Sequence, residues 1–448
     1  MNSFTKIYPI IFGFISFYQI FIFENDPIIF LVTSILCLSR FVYFQTVFIR
    51  TNLLSIILFL FIDFSLVNFS FFSYLTEVNI HENPYPFKVI FFLGSVLLLL
   101  HIMISLILKF FLGRTVNQEE YFNLISLFKI NLISLFWATL YFICIYLNDI
   151  LGIFALGSVS NIRLPFKLGA GIFYFQTIIG PFFFFIILDM YYQKKDIKKI
   201  VIISIIFIIL NIYSSFIMLS KGNFLTVFLY LTFWMIYRNI INLKVMILFT
   251  IPLVFVLSIY DSISIYRNIY GDFDLSNFTQ LASTYTRSNS TKKIIGKIYN
   301  RTFKDGGMIK KAIVYENGSL IFNNLSEVEK IGGPSKFHTF IIDEFPVNIR
   351  HSSGSSGFGG AFMIGGLILC IINIILFSFC ANFFDSGSFG LLSKTSAGKT
   401  LFASFFVAIL LGGFWQFLSK NLLELLIWPF LFYVHSLLTK HFSKDHNL

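Results

Sequence analysis

The chain has 448 residues, 57% of them hydrophobic and only 12% charged, with a formal net charge of +11 and a mean hydropathy of +0.82. A water-soluble chain of this length has no core large enough to hide that much apolar surface, so the composition excludes a soluble globular protein and points to a polytopic membrane protein. The 62 Phe residues supply lipid-facing bulk, and Cys37, Cys144, Cys370 and Cys380 all fall in apolar runs without metal-ligand spacing or evident pairing.

A bilayer core about 30 Å thick needs about twenty apolar residues per helix. Counted that way, the chain reads as an all-α polytopic membrane protein with about 12 transmembrane helices and one large external loop. The predicted spans are 8–23, 27–49, 52–74, 89–112, 124–147, 169–190, 200–219, 223–241, 245–262, 359–381, 401–418 and 421–438. The opening MNSFTK and the apolar run after it lack a small-residue cleavage site and lead into further spans, which predicts a retained first helix. The organisation is therefore 1–262 for helices one to nine, 263–358 for the loop, and 359–448 for helices ten to twelve with a tail.

Ionisable residues inside spans suggest function by default. Asp63, near the middle of the third span, and Arg40, well inside the second, are expected to form a structural pair between neighbouring helices. Lys109, Lys129 and Asp189 lie near enough to the inner boundary to snorkel. Glu424 and Asp261 lie toward the outer side, where they would line a cavity, and His101 has no obvious place.

Lys and Arg in short connections are retained in the cytoplasm. With the amino terminus inside, the inner segments hold Lys6, Arg50, Lys109, Arg114, Lys194, Lys195, Lys198, Lys199, Arg238, Lys244, Lys394, Lys399, Lys440 and Lys444. The short outer ones hold only Lys88, Arg163, Lys167, Lys221 and Lys420. Both termini are thus expected in the cytoplasm and the long segment outside, since a long loop does not vote in this rule.

That segment interrupts the apolar pattern for roughly ninety residues, a length at which loops are usually functional or disordered. It carries Arg267, Arg287, Lys292, Lys293, Lys297, Arg301, Lys304, Lys310, Lys311, Lys330, Lys336 and Arg350 against fewer acids, and ends in IRHSSGSSGFGGAFMIGG, where a basic pair and a Gly/Ser run enter the next helix. No nucleic-acid motif accompanies the charge and the face is wrong for a cytoplasmic partner. A phosphate-bearing lipid suits it better, because Arg grips phosphate with a bidentate fork and Lys with a point charge.

The outer stretch NIRLPF at 161–166, the motif SKGNFL at 220–225 and the terminal RHSSGSSGFGGAFMIGG resemble the Wzy-type O-antigen polymerases, which are related to the O-antigen ligases. The resemblance covers most of the chain as topology and those three patches as sequence. It implies a bacterial inner-membrane glycosyltransferase that joins undecaprenyl-pyrophosphate-linked oligosaccharide repeat units on the periplasmic side. Its implied partners are the lipid-linked glycan, membrane lipids and a chain-length regulator, with no nucleic acid. Lys221 to Leu225 is similar to the ligases' Arg-x-x-x-Leu element with Lys for Arg, a swap that keeps charge and loses the fork. The Gly-Glu-Ala-Tyr-like stretch of polymerases is Gly359-Gly360-Ala361-Phe362 here, without its acid. The ligases' catalytic His enters a helix in a comparable place, which draws interest to His351 over His338.

The chemistry asks for the same residue types. Breaking a glycosyl–pyrophosphate bond needs positive charge placed where the leaving group develops its own. Arg163, Lys221 and Arg350 sit at predicted outer helix mouths, and Arg267 and Arg287 join them as pyrophosphate-binding candidates. The acceptor hydroxyl must lose a proton, for which His is the commonest side chain. His351 stands beside Arg350, whose guanidinium would favour the neutral, basic imidazole. The expected catalytic residues are therefore His351 and Arg350, with no metal ion and no cofactor. Plainer alternatives exist for each: Lys221 as a snorkelling lysine, Arg163 and Arg350 paired with Asp343 or Glu344, His351 as a solvated loop residue. Three other readings of the chain stay open: an O-antigen ligase transferring glycan to lipid A core, a lipid-linked glycan flippase or other transporter, and a metal-dependent transferase using the turn Glu24-Asn25-Asp26.

Overall fold

The structure, a computed structural model, describes residues 2–24, 26–46, 52–75, 80, 82–112, 126–153, 168–218, 221–238, 240, 276–277, 280, 304–320, 325–331, 337, 357–388, 393, 395–412 and 433. In chain order its helices are α1 (Asn2–Ile22), α2 (Pro27–Thr46), α3 (Leu53–Ile62), α4 (Phe69–Leu75), α5 (Tyr85–Leu112), α6 (Leu127–Leu151), α7 (Leu168–Tyr174), α8 (Gly180–Gln193), α9 (Ile197–Ile217), α10 (Lys221–Tyr237), α11 (Lys304–Tyr315), α12 (Leu325–Lys330), α13 (Gly357–Asp385) and α14 (Ser396–Gly412). π-helical segments, Asp63–Val67 and Phe175–Ile179, join α3 to α4 and α7 to α8. No strand occurs among the described residues.

Six of these helical stretches are long and apolar enough to cross a membrane: Pro27–Thr46, Tyr85–Leu112, Leu127–Leu151, Gly171–Gln193, Ile197–Ile217 and Gly357–Asp385. The pair Leu53–Val67 and Phe69–Leu75, bent by 56°, makes a seventh if it is one broken span. Tyr8–Ile22 and Val227–Tyr237 are shorter apolar helices. The expected spans 245–262 and 421–438 fall outside the described residues, apart from Tyr433.

The side-chain distribution is inverted relative to a water-soluble protein. Phe14, Phe110, Phe111 and Phe128 stand exposed, while Arg40, Asp63, His101 and Asp189 are fully buried. That is the arrangement lipid imposes: apolar groups face outward at no cost, and polar groups must find partners within the protein.

The chain divides into two compact units. The first comprises Met1–Val116, Ser290–Phe389 and Phe405–Leu426. Here α5 packs against α13 and the Asp63–Val67 segment, α3 against α13, and α1 against α2. Gly94 of α5 permits one of these close approaches, since a Cβ there would lie 2.7 Å from Leu66 Cβ and 2.8 Å from the Val67 nitrogen. The π turn displaces carbonyls from the regular ladder, and side chains take them up: Gln19 Nε2 donates to Val67 O at 2.9 Å and Asn68 Nδ2 to Asp63 O at 2.9 Å.

The second unit comprises Asn117–Asn289, Gly390–Ser404 and Ile427–Leu448. Its helices α6, α8 and α9 pack mutually, and α10 packs on α9. The π segment is again answered by side chains. Tyr141 donates to Gln176 O at 2.8 Å, Gln176 Nε2 to Cys144 O at 2.7 Å, and Trp137 Nε1 to Gly180 O at 2.9 Å. Gly180 lets the Tyr141 ring come close to the backbone, because a Cβ there would sit 2.4 Å from it.

Candidate functional site

The long hydrophilic segment is more than a tether. It contains α11, whose Met308, Ile309, Ala312 and Ile313 are buried at the one-face spacing of an amphipathic helix. These residues pack α11 onto α13, α5 and the Asp63–Val67 segment. The helix is anchored along its length. At its start, Asp305 is buried and its Oδ1 accepts the backbone N–H groups of Phe358 at 3.0 Å and Gly359 at 2.5 Å. Gly306 beside it touches the third span so closely that a Cβ would lie 2.5 Å from the Phe69 ring and 2.7 Å from Ser65 O. In the middle, Lys310 Nζ lies 4.4 Å above the Phe87 ring, and burial pulls this ammonium below the usual lysine range. Beyond its end, Tyr85 donates to Gly318 O at 3.1 Å, where Gly318 holds φ +90°.

The partner of α11 is the first half of α13. Gly357 to Ile364 are all buried. The helix then breaks at Gly365 and Gly366, the latter at φ 56°, ψ −144°, a conformation open essentially to glycine. Leu367 N–H, past the break, is taken by Leu320 O at 3.2 Å from the segment that follows α11. Gly357 also meets the backbone of α14, as a Cβ there would stand 2.9 Å from Leu410 O. The entrance of α13 is thus a short buried half-helix, gripped at its start and at its break by the segment predicted as an external loop.

Deeper in the same unit lie two buried polar clusters. Arg40 pairs with Asp63 as expected: Nε reaches Oδ2 at 3.1 Å and a terminal nitrogen bonds Oδ1, completing a fork. Tyr8 donates to Oδ2 at 2.8 Å, Asn68 to Oδ1 at 3.1 Å, and Arg40 also donates to Ser16 at 2.8 Å. His101 anchors the second cluster. Its Nε2 donates to Ser55 O at 2.9 Å, and in the neutral ring that tautomer leaves Nδ1 to accept from Ser378 at 2.9 Å. Tyr43, Ser105 and Asn382 extend it through Ser55 and Ser378. At one end Asp385 accepts the Leu54 and Ser55 N–H groups at 3.3 and 3.0 Å, capping α3 from another helix. The stacked rings of Tyr43 and Phe59, 4.8 Å apart, belong to the same packed interior.

In the second unit, Asp189 is not a snorkelling boundary residue. It is buried and receives Trp234 Nε1 at 2.8 Å, Arg238 Nε at 2.9 Å and the Ala397 N–H at 2.9 Å. Arg238 also lies 4.8 Å over the Tyr192 ring.

Of the sequence-predicted site residues, Lys221 is the first residue of α10. Arg163, Arg267, Arg287, Arg350 and His351 lie outside the described residues, as do His338, Asp261 and Glu424. His351 is six residues before Gly357, a stretch that reaches about 20 Å at full extension. Asp26, in the turn considered for a metal, is paired with a cation: Oδ2 meets Lys88 Nζ at 2.8 Å and Oδ1 accepts Ile28 N–H at 3.0 Å, and the lysine holds this carboxyl below its usual range. Among the described residues no three His, Cys, Asp or Glu side chains gather as a metal site would require.

Asp305 and α11 escape a pattern search because Lys304, Lys310 and Lys311 make the segment look like a solvated loop. The legible signal is the spacing of Met308, Ile309, Ala312 and Ile313. No family model matches the chain, and neither a curated protein nor a solved structure matches it.

Proposed function

We propose that this protein polymerises undecaprenyl-pyrophosphate-linked oligosaccharide repeat units into O-antigen or a related surface polysaccharide, on the periplasmic side of a bacterial inner membrane. In this reading twelve spans cross the membrane, both termini are cytoplasmic and 263–358 lies outside. The observation that carries it is the buried entrance of α13. A hydrophilic segment with many phosphate-seeking cations sends a helix back into the apolar bundle, and the residues suited to glycosyl transfer, Arg350 and His351, are joined to that anchored entrance by a few residues of chain. A transporter needs no such anchored outer segment.

In the proposed step, the hydroxyl of the non-reducing sugar on one lipid-linked repeat attacks the anomeric carbon of the growing glycan. The new glycosidic C–O bond forms as the bond to pyrophosphate breaks, and undecaprenyl pyrophosphate leaves with the electron pair. His351 takes the hydroxyl proton. Arg350, Lys221, Arg163, Arg267 and Arg287 offset the charge that grows on the pyrophosphate. Metal or cofactor has no assigned part.

The test is chain extension by purified protein with lipid-linked repeat units. His351→Gln should insert and bind substrate yet lose roughly 10²-fold or more in extension. Near-wild-type extension would remove the base assignment, and failure of His338→Gln alone would move it to that residue. A null strain whose lipopolysaccharide carries a single repeat fits a polymerase, whereas bare lipid A core would indicate the ligase reading.

A further inference from the structure

We infer that Asp305 is a positioning residue, which fixes the outer start of α13 and so anchors the segment carrying Arg350 and His351. What the anchor serves rests on the polymerase reading; the anchor itself does not.

The first turn of a helix presents N–H groups without intrahelical partners, and in an apolar interior each unpaired group costs as much as a lost hydrogen bond. Gly357, Phe358, Gly359 and Gly360 are all buried, so water is not available to solve this. Serines at 352, 353, 355 and 356 are of the type that ordinarily caps from the adjacent chain, yet a single oxygen of Asp305 takes two N–H groups from 53 and 54 residues away. Its negative charge also suits the positive end of the helix.

Three further features make this a seat for α13. Gly306 brings the Asp305 backbone against Ser65 O and Phe69, where no side chain fits. The Leu320 carbonyl holds the far end of the half-helix through Leu367. The break at Gly365 and Gly366 separates this half-helix from the rest of α13, so the hinge cannot hold its start by itself. The cation-rich segment therefore grips its own exit, and of the outer candidates Arg350 and His351 lie between the two ends of that grip. A reacting group about 1 Å out of place loses on the order of 10²-fold in rate, so a loosened anchor should act on turnover.

Asp305→Ala removes the acceptor, and Asp305→Asn keeps an oxygen of the same size in the same place. In the full-length purified protein, amide exchange at Phe358 and Gly359 should accelerate at least tenfold in Asp305→Ala and stay near wild type in Asp305→Asn. With lipid-linked repeat units, Asp305→Ala should lose roughly 10- to 100-fold in kcat with KM within about threefold, and Asp305→Asn should recover most of it. Wild-type exchange or wild-type kcat in Asp305→Ala overturns the inference. If Asp305→Ala does not accumulate in the membrane, Asp305→Asn decides: loss of extension with both amides still protected overturns positioning in favour of a charge effect, and retained extension supports it. Wild-type protein that makes no polymer, while exchange responds as expected, sinks the polymerase reading and leaves the anchor standing.

Discussion

Replacing Asp63 by alanine is expected to destabilise the first unit by about 3–5 kcal/mol, the usual cost of removing one partner from a buried pair. The figure follows from what is stranded. Arg40 is fully buried, keeps Ser16 at 2.8 Å and loses its counter-charge, while Tyr8 and Asn68 lose an acceptor each. In population terms the folded-to-unfolded ratio falls roughly 10²- to 10⁴-fold. The reasoning also predicts rescue. Arg40→Met with Asp63→Leu puts apolar volume where two charges were, and such replacements are often neutral or stabilising, so most of the loss should return. Adding Tyr8→Phe removes the third member and should bring the variant closer still to wild type. Unfolding in mixed micelles titrated with SDS measures all of them on one scale. An Asp63→Ala protein within about 1 kcal/mol of wild type, or a double variant no more stable than the single one, would refute the buried-pair account.

Gly94→Ala should cost about 1–3 kcal/mol, because the added methyl meets Leu66 and the Val67 backbone at 2.7–2.8 Å and the helices must part. Gly171→Ala, with nothing within 4 Å, is the matched control and should be neutral or better in the same titration. Reporter fusions after Lys195 and after Lys304 should report cytoplasm and periplasm; the same side for both would overturn the proposed topology and the catalytic scheme with it. Lys221→Arg should retain much of the chain extension that Lys221→Ala loses, as the proposed task is charge on phosphate, and full extension in both removes Lys221 from the site.

Sequence patterning carries the helical class, the apolar stretches and the Arg40–Asp63 pair, since each depends on local composition or on two charges too costly to leave alone in lipid. It misses what depends on distant residues. Asp189 looks like a boundary residue because its sequence neighbours are Tyr191, Tyr192 and Lys194, whereas its partners are Trp234, Arg238 and Ala397. His101 sits in an apolar run, and its role comes from Ser55 and Ser378, 46 and 277 residues away. The break at Gly365-Gly366 and the bend at Asn68 interrupt runs whose hydropathy is uninterrupted, so a window average passes over both. The outer candidates from Arg163 to His351 are read from residue chemistry and resemblance alone.

The carboxylates that close α3, α13 and α14 have a consequence for the order of synthesis. Asp305 and Asp189 leave the ribosome before the N–H groups they will cap, by 53 and 208 residues. Asp385 comes 330 residues after Ser55. At about 5–20 residues per second, α3 waits roughly 15–65 s in the membrane for its cap, a window in which quality-control proteases meet an unfinished helix end. Chains truncated before residue 385 never leave that window, so a nascent-chain series should show α3 becoming protected only once Asp385 has been made.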